Sequence, residues 1–302
     1  MTSASAPAST NPAPTNPESA GPLVALAQFS PAADVEANLA TITGLTARAA
    51  AEGADLVVFP EHAMFPEHAM FTDPDHLTGP YYAHEPLDGP FLTAVRALAS
   101  EHRIAIVVGL TETTPAELAD PRPFNTLVAI GPEGTDLARY RKVHLYDAFG
   151  HRESDASRPA DDIEAVTFTY RGLTFGLAIC YDIRFPEISR RLVDAGAEAI
   201  VNPAAWPTGP AKEHHWEALT TARAIENTAY VLACGQTGPH CIGQSRIVDP
   251  MGSTLASAAE APGALALARL DPARVPEVRL TNPSLENRRL RIAEPEGASG
   301  RM

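Results

Sequence analysis

Apolar and polar positions change period several times along the chain, and each change marks an element. Leu23 to Phe29 (LVALAQF) reads as a buried strand. From Asp34 the apolar residues fall three and four apart, at Val35, Leu39, Ile42, Leu45 and Ala49. That is the spacing of a helix with Asp34 as its cap and Gly53 as its stop. Asp55 to Phe59 returns to a short buried strand. This β-α-β opening predicts parallel neighbouring strands with a helix on one face. The alternation continues with a helix over 88–102 and a strand over 104–110. Two hairpins follow, 126–140 around Gly131–Gly134 and 166–179 around Arg171 and Gly172. Next come a short strand over 199–201 and a helix over 212–228, with Trp216, Leu219, Ala222, Ile225 and Ala229 on one face. Strands over 230–234, 245–248, 254–257 and 264–270 complete the pattern. Strands and helices alternate in both halves, with hairpins between. The expected fold class is therefore α/β: two mixed sheets packed face to face and covered by helices.

Composition narrows the partners. A chain of 302 residues with 45% hydrophobic content fills one sizeable core. Its net charge of −14 argues against nucleic acid or an anionic membrane surface as partner. No apolar run approaches the roughly 18 residues of a membrane span. Residues 1–21, rich in Ala, Ser, Thr, Pro and Asn, read as a disordered tail and not as a signal peptide. Residues 22–271 show no linker and read as one domain; 272–302, polar and Arg-rich, read as a C-terminal extension. The odd set Cys180, Cys234 and Cys241, without an export signal, implies reduced thiols and a cytoplasmic location. Pro60–Phe65 (PEHAMF) is repeated at once as Pro66–Phe71. Two copies are too few for a solenoid, so the repeat reads as a duplication within a loop. It creates two candidate glutamates, Glu61 and Glu67, of which only Glu61 directly follows a strand.

The candidate chemistry sits at strand ends. Leu173, Phe175, Leu177 and Ile179 alternate with smaller residues, and the strand stops on Cys180. A lone cysteine on an apolar strand is usually a small buried hydrophobe. A nucleophilic one needs a base, and Glu61 serves if burial lifts its pKa toward neutrality. Attack on a carbonyl or nitrile carbon builds negative charge. Lys142, with the backbone N–H of Tyr181, would stabilise that charge. Taken alone, Glu61 also reads as a helix N-terminal carboxylate, and Lys142 as a solvated loop lysine.

Together, Val57-Val-Phe-Pro-Glu61, Tyr140-Arg-Lys142-Val-His-Leu-Tyr146 and Leu177-Ala-Ile-Cys180-Tyr-Asp-Ile-Arg-Phe-Pro-Glu187 resemble the three signature segments of the nitrilase, or carbon–nitrogen hydrolase, superfamily, in the right order. The similarity extends to Asn202–Trp206, Arg223–Asn227 and Ser245–Gly252 and spans Pro22 to Leu270. The resemblance implies an α-β-β-α sandwich and homodimers or larger homo-oligomers. It implies a triad of Glu61 (base), Lys142 (oxyanion) and Cys180 (nucleophile), with no metal or organic cofactor. Phe149-Gly-His-Arg-Glu153 resembles the segment that carries a second glutamate, which makes Glu153 a candidate; the alternative is a plain loop carboxylate. Cys180-Tyr-Asp-Ile-Arg-Phe is similar to the Nit-type ω-amidases, including those acting on deaminated glutathione.

The expected reaction is hydrolysis of a small linear amide through a cysteine thioester, releasing ammonia and a carboxylic acid. N-carbamoyl amino acids and nitriles are the alternative substrates, and a catalytically silent scaffold is the non-enzymatic alternative. Arg184 would pair with a substrate carboxylate, or else with Glu187 or Asp182. Trp206 would line the pocket, or else pack in the core. A cysteine–histidine hydrolase using His144, His214 or His215 and a zinc site from Cys234, His240 and Cys241 are weaker readings, because no motif or spacing supports them.

Overall fold

The computed structural model describes residues 21–66 and 83–292. The expected N-terminal tail, residues 1–20, and Glu67 lie outside them. The first sheet is built from β1 (Leu23–Ala27), β2 (Leu56–Val58), β3 (Ala105–Glu112), β4 (Phe124–Ile130), β5 (Asp136–Arg141) and β12 (Leu265–Arg269), in the order β12-β1-β2-β3-β4-β5. The second comprises β6 (Thr167–Tyr170), β7 (Leu173–Leu177), β8 (Ala199–Val201), β9 (Tyr230–Ala233), β10 (Ser245–Val248) and β11 (Thr254–Ala259), ordered β11-β10-β9-β8-β7-β6. Each sheet centres on three parallel strands, β1-β2-β3 and β7-β8-β9, with antiparallel strands outside them.

Helices cover the outer faces: α1 (Val35–Ala51), α2 (Pro90–His102), α3 (Pro186–Asp194), α4 (Lys212–Asn227) and α5 (Arg274–Thr281). Asp34 caps α1 by accepting the N–H groups of Glu36 and Ala37 at 2.9 and 3.1 Å. The two-residue period of the strands sorts the core. Val24, Leu26, Leu56, Val58, Val107 and Leu127 pack toward the second sheet. Their neighbours Ala25, Ala27, Val57, Ile106, Val108 and Val128 pack under Ile42, Leu45, Phe91 and Val95 of α1 and α2. A one-residue slip would exchange the two sets, so register and layering determine each other. The result is the expected four-layer sandwich.

One local expectation holds only in part. The buried side of α4 is Trp216, Thr220, Arg223, Ala224 and Asn227, while Ile225 is 44% exposed. Trp216 and Ala229 are buried as expected, so the burial is helical in period but only partly apolar. Arg223 Nε donates to the Ile183 carbonyl at 2.9 Å, Thr220 to that of Trp216 at 2.8 Å, and Asn227 to that of Arg223 at 3.0 Å. Polar residues therefore share the inner face that an apolar stripe was expected to hold alone. The C-terminal stretch also contains α5, whose Val275 and Val278 are buried against the body of the protein. Only two of its eight residues face inward, and the third aliphatic one, Leu280, is exposed, too faint a period to read. Among the described residues, no helix is long and apolar enough to cross a membrane.

Candidate active site

The central parallel strands of the two sheets deliver their C-terminal ends to one place, where polar groups gather. β2 stops at Val58, and Phe59 and Pro60 lead into Glu61. The turn lies against Gly109 of β3. A Cβ there would stand 2.9 Å from the His62 nitrogen and 3.0 Å from Glu61 Cα, so a side chain would push the glutamate out of place. Glu61 is buried. Its Oε1 accepts Lys142 Nζ at 2.8 Å and Asn125 Nδ2 at 2.7 Å, and its Oε2 accepts the Ala205 N–H at 2.7 Å.

Lys142 follows β5, whose end is held by the Lys142 N–H donating to the Asn125 carbonyl at 2.9 Å. Its ammonium is 1% exposed, which removes the reading as a solvated lysine. Nζ also donates to Glu153 Oε2 at 2.8 Å. Glu153, in a single 3-10 turn (Glu153–Asp155), is fully buried and accepts the Tyr146 N–H at 2.6 Å and Asn125 Nδ2 at 3.1 Å. Glu61, Lys142 and Glu153 thus form a directly bonded cluster, with Asn125 bridging its two carboxylates.

The electrostatics correct one expectation. Burial favours the neutral form of Glu61, but the charges of Lys142 and His62 and the hydrogen bonds from Lys142 and Ala205 outweigh it, holding the pKa down at about 2. Glu61 is therefore an ionised, ion-paired carboxylate at rest, not one lifted toward neutrality. His62 beside it is buried, and burial lowers its own pKa below the ordinary 6.5.

Cys180 lies past the end of β7 and opens a 3-10 turn (Cys180–Arg184). Its φ is +44°, a left-handed conformation uncommon outside glycine, and it is 4% exposed. Asp182 fixes this turn: Oδ2 accepts the Ile179 N–H at 2.9 Å and the Tyr140 hydroxyl at 2.7 Å, and Oδ1 accepts the His144 N–H at 3.1 Å. The Cys180 N–H donates to the Pro203 carbonyl at 2.8 Å. Pro203 and Ala205 are two residues apart, roughly 7 Å of extended chain. The segment after β8 therefore ties the cysteine turn at one end and the Glu61 carboxylate at the other.

Beside the cysteine turn is an aromatic wall. The Arg184 guanidinium lies 4.7 Å from the Trp206 ring, 5.6 Å from Phe149 and 5.9 Å from Tyr181. Among the described residues it has no ion pair with Glu187 or Asp182. Trp206 is 2% exposed and donates from Nε1 to the Lys212 carbonyl at 3.0 Å, so it both packs in the core and floors this wall. Lys212, the first residue of α4, is 3% exposed; its Nζ donates to the Tyr146 hydroxyl at 2.7 Å and sits 3.9 Å from the Phe149 ring.

Sequence reasoning missed Asn125, His62 and Lys212. Asn125 stood at the edge of an apolar strand and His62 next to the candidate glutamate, which were usable signals. Nothing in the sequence separates Lys212 from a solvated lysine at a helix start.

The rival sites do not assemble. His144 stacks on Phe185 at 3.7 Å and bonds Asp182, and His215 lies against Arg184. The Cys234 thiol donates to the Val58 carbonyl, and burial pushes its pKa up to about 12, so it is inert. Cys234, His240 and Cys241 form no metal-sized cluster. Among the described residues only Glu61, His62 and Glu153 do, and there the Lys142 ammonium already bonds both carboxylates.

Comparison with known proteins identifies the family. The family model for carbon–nitrogen hydrolases matches residues 23–280. Deaminated glutathione amidase of Escherichia coli O157:H7 is 39% identical over 269 residues, covering 88% of this chain and 97% of that protein. The Homo sapiens deaminated glutathione amidase is 36% identical over 281 residues, 89% of this chain and 82% of its own. Among solved structures, Saccharomyces cerevisiae Nit3, a member of branch 10 of the nitrilase superfamily, superposes with a TM-score of 0.76 at 29% identity, over 89% of this chain and 96% of that one.

Proposed function

The chain belongs to the carbon–nitrogen hydrolase family, and from that premise we propose how its residues divide the work. It is an amide-cleaving hydrolase. Cys180 is the nucleophile, Glu61 the general base and Lys142 the oxyanion stabiliser. Glu153 holds Lys142 in place. The observation that carries this reading is the buried ammonium bonded at 2.8 Å to two carboxylates, one from each of two distant segments. So placed, the charge is fixed before any substrate arrives.

Glu61 accepts the Cys180 proton as sulfur attacks the amide carbon. Lys142 and the Tyr181 N–H receive the developing oxyanion. As the ammonium turns part of its charge to that oxygen, Glu61 recovers basicity that the resting ion pair withholds. It then hands the proton to the leaving nitrogen, ammonia departs, and a thioester remains on Cys180. Water activated by Glu61 hydrolyses the thioester to the carboxylic acid.

The substrate is a small linear primary amide bearing a carboxylate; the relatives' name, deaminated glutathione amidase, supports the carboxylate and the amide but not the leaving group. Arg184, without a carboxylate partner of its own among the described residues, pairs with that group over Trp206. The proposal includes a homo-oligomeric, cytoplasmic protein.

Ammonia release across short amides with and without a carboxylate, N-carbamoyl amino acids and nitriles tests the reading. Turnover is expected on carboxylate-bearing amides, with an acyl adduct on Cys180 by mass spectrometry. Cys180→Ala is expected to fold and to release none. Preference for carbamoyl compounds or nitriles would reassign the substrate, and undiminished activity in Cys180→Ala would end the mechanism.

A further inference from the structure

Lys212 is an ammonium withdrawn from water with no carboxylate beside it among the described residues. Burying such a group is costly unless something compensates it. Its Nζ donates a hydrogen bond to a neutral phenol, Tyr146 Oη, at 2.7 Å. Burial, the nearby Arg184 charge and a counteracting attraction to Cys180 all act on its ionisation, with the net effect a lowered pKa. The ammonium therefore sits within electrostatic reach of both the nucleophile and the guanidinium. Arg184 and Lys212 also share two rings: Trp206 lies 4.7 Å from one and 5.6 Å from the other, and Phe149 lies 5.6 and 3.9 Å away. Two cations that repel each other are thus held over one aromatic floor, within reach of a single small ligand. Only an anion satisfies both, and the aromatic faces supply no more than partial compensation in its absence.

We propose that Lys212 is a specificity-determining residue, forming with Arg184 a two-cation receptor for one carboxylate of the substrate. The inference rests on the amide-hydrolase reading of the site and adds a residue to its substrate pocket. A monoamide of a short dicarboxylic acid is the chemical class that fits: the amide carbon at Cys180, the distal carboxylate between Arg184 and Lys212. A lysine here supplies a point charge, and arginine the planar fork, so the pair can hold both carboxylate oxygens.

The test compares succinamate with its uncharged analogue butyramide in wild type, Lys212→Met and Lys212→Arg. Lys212→Met is expected to lower kcat/KM for succinamate relative to butyramide by about tenfold or more, chiefly through KM. Lys212→Arg should restore most of that ratio. An equal fall on both amides would overturn the proposal, since Lys212 would then act on the thiol or the fold, and so would an unchanged ratio. Succinate titrated into Cys180→Ala separates this inference from the one beneath it. Weaker succinate binding when Lys212→Met is added supports the receptor even if wild type hydrolyses neither amide, an outcome that would sink the hydrolase reading alone. Equal succinate binding with and without Lys212→Met would sink the receptor.

Discussion

Two sets of charges, one fully and one partly buried, lie on the segments around the candidate nucleophile, and they are arranged on opposite principles. In the Glu61–Lys142–Glu153 cluster the cation meets two carboxylates, and a neutral amide, Asn125, bridges the carboxylates. In the Arg184–Lys212 wall the cations meet rings, a phenol and a histidine. A compensated charge is held rigidly and can stabilise a transition state without rearranging. An uncompensated one leaves its favourable interaction for a ligand. The contrast separates residues organised for the reaction from residues organised for recognition.

Breaking the compensated side should be felt most. Lys142→Met leaves two carboxylates buried without a cation, and we expect a loss of about 3–5 kcal/mol in stability. The same variant should lose about a thousandfold in kcat. Urea unfolding and steady-state ammonia release read the two effects. Glu153→Gln keeps the shape but removes one charge from the bond to Lys142. The rate barrier is expected to rise by about 1.5–3 kcal/mol, with kcat falling more than KM rises. If KM alone changed, Glu153 would belong with recognition and the contrast would blur.

Acid should strain the same cluster, in two windows. Burial holds the folded pKa of His62 below the ordinary 6.5. The unfolded chain then binds more protons as pH drops below 6.5, so stability falls by at most about 1.4 kcal/mol per pH unit. Glu61, Glu153 and Lys142 are the charges acting on His62. Glu61 is depressed from 4.5 to about 2; its contribution is complete above pH 4.5 and is lost as pH falls toward 2. Urea midpoints at pH 7, 5.5 and 4 check the sign, and His62→Gln should flatten the upper window. The smallest effect is expected on the uncompensated side. Lys212→Met removes a buried ammonium with no counter-charge, and stability should stay within about 1 kcal/mol of wild type. A loss as large as that of Lys142→Met would erase the distinction between the two sets.

Much of this was legible because polar residues interrupt apolar strands. Glu61, Lys142 and Cys180 each end a readable run, and the strand and helix periods placed both sheets. Glu153 came only through resemblance, since its loop has no period of its own. Other features were hidden for physical reasons. Lys212 faces the site because α4 starts where Trp206 and Phe149 close over it, a contact across elements that no local pattern encodes. The inner face of α4 admits polar residues because their side chains bond backbone carbonyls, which hydrophobicity does not register. The depressed pKa of Glu61 depends on a bond to a residue 81 positions away.

A glycine would sit at position 180 more comfortably than the cysteine does. The left-handed backbone there penalises any Cβ by about 1–2 kcal/mol. Alanine, the usual inactivating replacement, keeps that penalty and discards the sulfur. Cys180→Gly should therefore melt above Cys180→Ala in a thermal scan, despite the looser unfolded chain glycine brings. Among inert versions of this protein, glycine at 180 would be the sturdier choice for trapping an uncleaved amide in a crystal.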